Sequence, residues 1–233
     1  PAMNPARPAL GTATIALAVL FNLPYALLAA SFDYPAILRH PPAEVLARFA
    51  EGGAGLVLTW YAFALAALAL TPLSVGLAIT PRRLAELPAL AASAALAGAL
   101  AGVTQAIGLM RWVFVVPDLA RTAASGAPAD MAAAGHAFAL IHAYGGAAIG
   151  EHLGQLLTAL FVALLAIIQL REGRRSAAAL GLLTAPVLTL GTGEGLMLAL
   201  GRDSDTFALL TIAGFLGLTV WLIATGIGLL RRG

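Results

Sequence analysis

The chain has 233 residues, 61% hydrophobic and only 10% charged, with a net charge of +2 and a mean hydropathy of +0.92. Soluble domains are nearer half apolar and a quarter charged, so this composition excludes one and defines an integral membrane protein. Cysteine is absent, which excludes disulfides, thiolate metal sites, iron–sulfur clusters and a cysteine nucleophile; lysine is absent too, which excludes retinal and pyridoxal Schiff bases.

A bilayer core about 30 Å thick takes ~20 apolar residues as a helix. The chain begins Pro1-Ala2-Met3; Met3 reads as the natural start, with Pro1 and Ala2 added ahead of it. Arg7 and the apolar run that follows have the outline of a signal peptide, but the run is long enough to read as a retained membrane helix. Six stretches qualify as spans: 11–31, 54–79, 88–116, 147–170, 177–200 and 207–230. Strand-period alternation is missing, which argues against a β-barrel. The expected fold is therefore all-α, a polytopic membrane bundle of six transmembrane helices plus short outer interfacial helices, in one domain over 1–233.

Two connections are long. Residues 32–53 contain Pro41-Pro42, then Val45, Leu46 and Phe49 at helical spacing opposite Glu44, Arg48 and Glu51, which predicts a short interfacial helix. Residues 117–146 open on Pro117-Asp118, pass Ser125-Gly126-Ala127-Pro128, and continue as a helix from Asp130 to about Tyr144, with a bend expected at Gly145-Gly146. Ala94, Gly98 and Gly102 recur every four residues, as in helices that pack closely in lipid. Gly191, Gly193 and Gly195 cluster too; no strand precedes them, so they are not a nucleotide fingerprint.

Cytoplasmic connections are richer in arginine. Arg82-Arg83, Arg171, Arg174-Arg175 and Arg231-Arg232 fall on the side shared with Arg7; Arg39, Arg48, Arg111, Arg121 and Arg202 fall on the other. Both termini are expected inside. The arginines are scattered, so no nucleic-acid footprint is present.

Ionisable groups within a span are costly and mark candidate sites. Thr104, Gly108, Arg111 and Asp118 share one face if the third helix is regular. Tyr144, Glu151, Gln155 and Thr158 share another, His152 is adjacent, and Glu194 lies in the fifth span. Nearly all fall in the outer half of the bilayer, and the inner half reads as apolar. An outward-facing polar pocket is expected, with Arg111, Asp118, Gln155, Glu194, Tyr144 and His142 binding a ligand, capped by the helix that carries His136 and His142. Two or three carboxylates against one arginine leave the charge unbalanced, so a proton or cation would complete the site.

Three readings compete. In the first, the pocket binds a small molecule, lipid headgroup or ion. In the second, Glu151 and His152 are catalytic in a membrane-embedded enzyme acting on a lipid or quinone-like substrate, with Glu151, His152 and Glu194 as oxygen and nitrogen ligands of a divalent metal. Histidine spacing is poor for a helical zinc site, and haem is disfavoured because three of the four histidines lie in one segment. In the third, a structural or regulatory partner, Arg111 merely ties the bundle to Glu151, Glu194 or Asp118, and Trp60, Trp112 and the tyrosines anchor at the interface. The expected partners are membrane lipid, a small-molecule or ion ligand, and a second copy of the chain.

Gly108-Leu109-Met110-Arg111-Trp112-Val113-Phe114-Val115-Val116-Pro117, followed by Gly150-Glu151-His152-Leu153-Gly154-Gln155, resembles an uncharacterised bacterial family of multi-helix membrane proteins catalogued only as a domain of unknown function. The resemblance spans most of the chain. It implies about six helices in a bacterial inner membrane, with Arg111 and Glu151 in matching motif positions, and it supplies no activity.

Overall fold

The structure, a computed structural model, describes residues 6–202 and 204–231. Met3 with its two preceding residues, and Arg232 of the terminal arginine pair, lie outside the described residues. The described residues form ten α-helices, one 3-10 turn and one π-helical segment, and contain no strand. In chain order these are α1 (Ala6–Phe32), a 3-10 turn (Ala36–Arg39), α2 (Pro42–Ala78), α3 (Pro81–Glu86), α4 (Pro88–Phe114), α5 (Val116–Ala123), α6 (Pro128–Ile141), the π segment (His142–Leu153), α7 (Gly154–Arg171), α8 (Arg175–Gly191), α9 (Gly193–Ala199) and α10 (Asp205–Leu230).

Among the described residues, six helical stretches are long and apolar enough to cross a membrane: Arg7–Phe32, Pro42–Ala78, Pro88–Ala123, Pro128–Arg171, Arg175–Ala199 and Asp205–Leu230. The protein is a multi-pass membrane protein. Proline sets the starts: α2, α3, α4, α5 and α6 each carry one in the first turn. There its fixed φ suits the helix and its missing N–H costs nothing.

The spanning helices pack as a ring in chain order: α1 on α2, α2 on α4, α4 on α7, α7 on α8, α8 on α10, and α10 back on α1. The small residues of α4 permit this. A methyl group at Gly98 would sit 2.3 Å from Ser74 Cβ, and one at Gly102 would sit 2.9 Å from the Ala67 carbonyl oxygen. The helices are thus in near-backbone contact, as expected of small-residue faces.

Two expectations need correction. The helix predicted after Pro42 forms, and it ends at Gly53, whose φ of 55° and ψ of −153° only glycine readily adopts. Its apolar stripe does not lie in the interface, however. Val45, Leu46 and Phe49 are buried against the protein's own aromatic cluster. The feature expected at Gly145-Gly146 takes another form: the helix is not interrupted there and bonds i→i+5 over His142–Leu153.

The interior has two parts. Toward the end that carries α3 and residues 172–174, the α3 end, it is packed with Leu70, Phe161, Leu165, Ile168 and Trp221. This end is not purely apolar, contrary to expectation. Trp221 Nε1 donates to Gln169 Oε1 at 3.3 Å, and Gln169 Nε2 donates to Thr225 Oγ1 at 3.1 Å. A buried Arg83 clamps Glu172 bidentately, Nε to Oε1 at 2.6 Å and Nη2 to Oε2 at 2.8 Å, and Arg174 Nη2 donates to the Thr225 carbonyl at 3.0 Å. Toward the opposite end, the α5 end, the interior is aromatic and encloses a cavity.

Candidate functional site

The site begins with two glycines. Gly108 of α4 and Gly150 of the π segment leave no room for a side chain: a methyl group at Gly108 would lie 2.6 Å from Gly150 Cα. This contact sets α4 directly on the π segment and brings Arg111, one turn beyond Gly108, against Gly146, where a Cβ would lie 2.5 Å from the guanidinium carbon. The glycines at 146 and 150 are therefore the space into which Arg111 folds.

Arg111 is 5% exposed. Its Nη1 donates to the Gly108 carbonyl, and its Nη2 lies 3.3 Å from His142 Nδ1 and 3.7 Å from Glu151 Oε1. A guanidinium only donates, so His142 Nδ1 accepts and carries no proton. His142 stacks on Phe138, with ring centroids 5.4 Å apart. On its other side Arg111 stands 5.1 Å from the ring centre of Trp112, which stacks on Trp60 at 4.7 Å and 8°. Both tryptophans are fully buried; they form the core of this end and are not interfacial anchors.

Glu194, at the start of α9, pairs with Arg39 of the 3-10 turn. Arg39 was not expected in the site. With Asp118 elsewhere, two arginines face two glutamates, so the predicted excess of carboxylate does not occur. His152 lies alongside, with Nδ1 3.0 Å from the Thr192 carbonyl. A carbonyl only accepts, so Nδ1 carries a proton and donates it. Gln155 is buried and donates to the Leu188 carbonyl at 2.9 Å, and Gln105 donates to Thr158 Oγ1 at 2.8 Å.

These groups surround a cavity of about 190 Å³. Arg39, Gln105, Arg111, Glu151, His152, Gln155 and Glu194 supply its polar wall; Phe21, Phe63, Phe215 and Leu216 supply much of its apolar wall. Tyr34 and Leu38, from the connection between α1 and α2, line it too. Burial, reinforced by the charge of Glu151, holds the Tyr34 phenol well above its ordinary value, so it stays a protonated donor. Three buried N–H groups have no acceptor among the described residues: Arg111 Nε, Trp60 Nε1 and Trp112 Nε1. All three residues line this cavity.

The sequence reading placed several residues differently. Asp118 is not in the site. Regular helix is interrupted at Val115, α5 begins at Val116 with Pro117 in its first turn, and Asp118 pairs with Arg121 at 3.1 Å with its side chain 75% exposed. Tyr144 is 71% exposed, because the wider π turns rotate it off the face it would share with Glu151 in a regular helix. His136 is exposed on α6 and bonds the Ala132 carbonyl, so it caps nothing. His142 is present through Arg111 and does not line the cavity. Glu151, His152 and Glu194 all line the cavity but do not converge as metal ligands; no group of three such side chains is close enough among the described residues. Arg39, Tyr34 and Gln105 were missed. Gln105 carried a signal, being an amide inside an apolar span.

The fold and this chamber define a multi-pass helical membrane protein with a largely apolar cavity that carries a cluster of charged and polar side chains. Residues 9–226 match the family described as Domain of unknown function (DUF4386), and the chain belongs to that family. No curated protein and no solved structure matches it.

Proposed function

We propose that the protein is a ligand-binding protein of the bacterial inner membrane, with both termini in the cytoplasm and its cavity in the outer half of the bilayer. The ligand is a small molecule or lipid headgroup that presents an oxygen acceptor to Arg111. One observation carries the reading: Arg111, only 5% exposed, lines the cavity beside Arg39, Glu151 and Glu194, and its nearest carboxylate stands at 3.7 Å, beyond hydrogen-bonding reach. A hydrogen bond to a charged group contributes about 1.5–3 kcal/mol, so a ligand oxygen that meets the guanidinium from the cavity is favoured on binding. The α3 end is closed by packing and by the Arg83–Glu172 clamp, which favours a binding chamber over a conduit.

Native mass spectrometry of the protein released gently from detergent tests this. A stoichiometric bound mass is expected in wild type and is expected to be lost in Arg111→Gln with the melting temperature little changed. A clean apo mass in both, with Arg111→Gln unfolding in detergent, would make Arg111 a clasp and sink the binding reading. The same spectrum reports whether two copies associate.

A second reading rests on His152. Its ring is held through Nδ1 at the cavity wall, so Nε2 is the ring nitrogen left for acid–base work on a bound molecule. An enzyme of this kind would lose turnover of its bound molecule, but not its binding, in His152→Gln.

A further inference from the structure

Five of the six joins in the ring are bridged by a connecting segment of chain; the join between α1 and α10 is not. At the α3 end these two helices touch backbone to backbone. A Cβ at Gly11 would lie 2.8 Å from the Gly226 carbonyl oxygen, and one at Gly226 would lie 2.7 Å from the Gly11 carbonyl oxygen. Farther along, side chains bridge them: Asn22 Nδ2 donates to Thr219 Oγ1 at 3.0 Å. Pro24 follows two residues on, inside α1, where a proline removes a backbone hydrogen bond and loosens the helix. The seam is thus fixed at one end by backbone contact, flanked by the buried Leu17, Ala18, Leu218 and Leu222 of the apolar core, and bridged beside Pro24 by a weak bond between two small polar side chains.

That bond lies at the cavity wall. Ala18, Asn22 and Thr219 line the cavity on one side and, on the other, a shallow groove that includes Val19, Leu23 and Ile223. Val19 and Leu23 are more than half exposed on a spanning helix, so the groove faces lipid. One layer of side chains separates the two spaces. The cavity's size bears on what it holds. At about 190 Å³ it is smaller than the ~300–1,000 Å³ of sites that enclose a whole drug-sized ligand, so it accommodates a polar head and the first few carbons of a longer molecule. Beside the seam its wall is apolar, with Phe215 and Leu222 on α10.

We propose that the ligand is a membrane-resident amphiphile, an oxygen-acceptor head on a hydrocarbon chain, and that it exchanges with the bilayer sideways between α1 and α10. The head sits at Arg111 and the chain leaves past Asn22 and Thr219. This rests on the reading of the cavity as a binding site.

The chain has no cysteine, so the pair Asn22→Cys with Thr219→Cys introduces the only two thiols. The full chain carrying this pair is placed in phosphatidylcholine vesicles and exposed to a diazirine-bearing C16 fatty acid, before and after closure of the seam with a short bifunctional thiol reagent. Photolabelling is expected on α10 between Ile212 and Leu222. Closure is expected to cut it at least tenfold, while each single-cysteine variant treated with the reagent keeps its label. Undiminished label in verified cross-linked protein would overturn the sideways route and leave the site standing. If the fatty acid does not label but millimolar acetate raises the melting temperature of wild type and not of Arg111→Gln, the ligand is a water-soluble anion; the amphiphile class is then overturned and binding stands. If neither probe acts, both readings fall. Should the cysteine pair not fold, Asn22→Ala serves instead: severing the bridge is expected to speed labelling several-fold, and an unchanged rate would overturn the gate.

Discussion

Gly108→Ala places a methyl group 2.6 Å from Gly150 Cα, against backbone rather than a side chain that can swing aside. The two helices must then part, and overpacking of this kind costs about 1–3 kcal/mol. A lower melting temperature in detergent is expected, together with weaker retention of any bound mass, since Arg111 is positioned by this contact. An unchanged melting temperature would show that the contact does not fix α4. At the same scale, the sequence exposed part of the site and concealed the rest. Arg111, Glu151, His152, Gln155 and Glu194 stood out because a polar side chain inside an apolar span is costly unless it turns inward to a partner or a cavity, and all of them line the cavity. Arg39 could not be found this way, because it belongs to a loop where an arginine is ordinary. Its role comes only from the 3-10 turn folding inward on Ile37 and Leu38, both buried.

Among the elements, two of the errors share a physical cause: a helical wheel assumes 100° per residue. Asp118 and Tyr144 were assigned to polar faces by that rule. One sits beyond a proline that restarts the helix, and the other in a π segment with wider turns. The spans themselves were legible because bilayer thickness fixes their length whatever their fine geometry. The connection between α7 and α8 makes a separate prediction. Burial would raise the Glu172 carboxyl, but the hydrogen bonds and charge of Arg83, with Arg174 and Arg82 adding, outweigh it and hold the group below its ordinary value of 4.5. A carboxyl lowered by folding contributes stability that is present above the ordinary value and lost as pH falls through the lowered one. The wild-type melting temperature should therefore drop on acidification below about pH 4.5. Glu172→Gln should be less stable at pH 7, on the order of 1–3 kcal/mol, with a shallower acid dependence. Parallel curves for the two proteins would dismiss the clamp.

At the scale of the whole molecule, the proposed direction of insertion rests on the distribution of arginine. Single cysteines at Glu86 and Ser125 lie in connections at opposite ends of the bundle. In intact cells a membrane-impermeant maleimide should label the second and spare the first. The reverse pattern would place the cavity on the cytoplasmic side and invert the proposed topology.

Because the ring closes between the first and last helices, the order in which the chain visits it is partly arbitrary. Gly11 lies against Gly226, and the side chain of Leu230 is within van der Waals reach of Gly11, so a short linker could join the end of α10 to the start of α1. New ends cut between Glu86 and Leu87 would emerge on the same side as the old ones, and every helix would keep its direction across the membrane. Such a circular permutant is expected to assemble the same ring, with the covalent gap moved from the α1–α10 join to the α2–α4 join. Retention of the wild-type melting temperature and bound mass would show that the ring, rather than the sequence of its insertion, is what the amino acids encode; a permutant that fails to assemble would show the opposite.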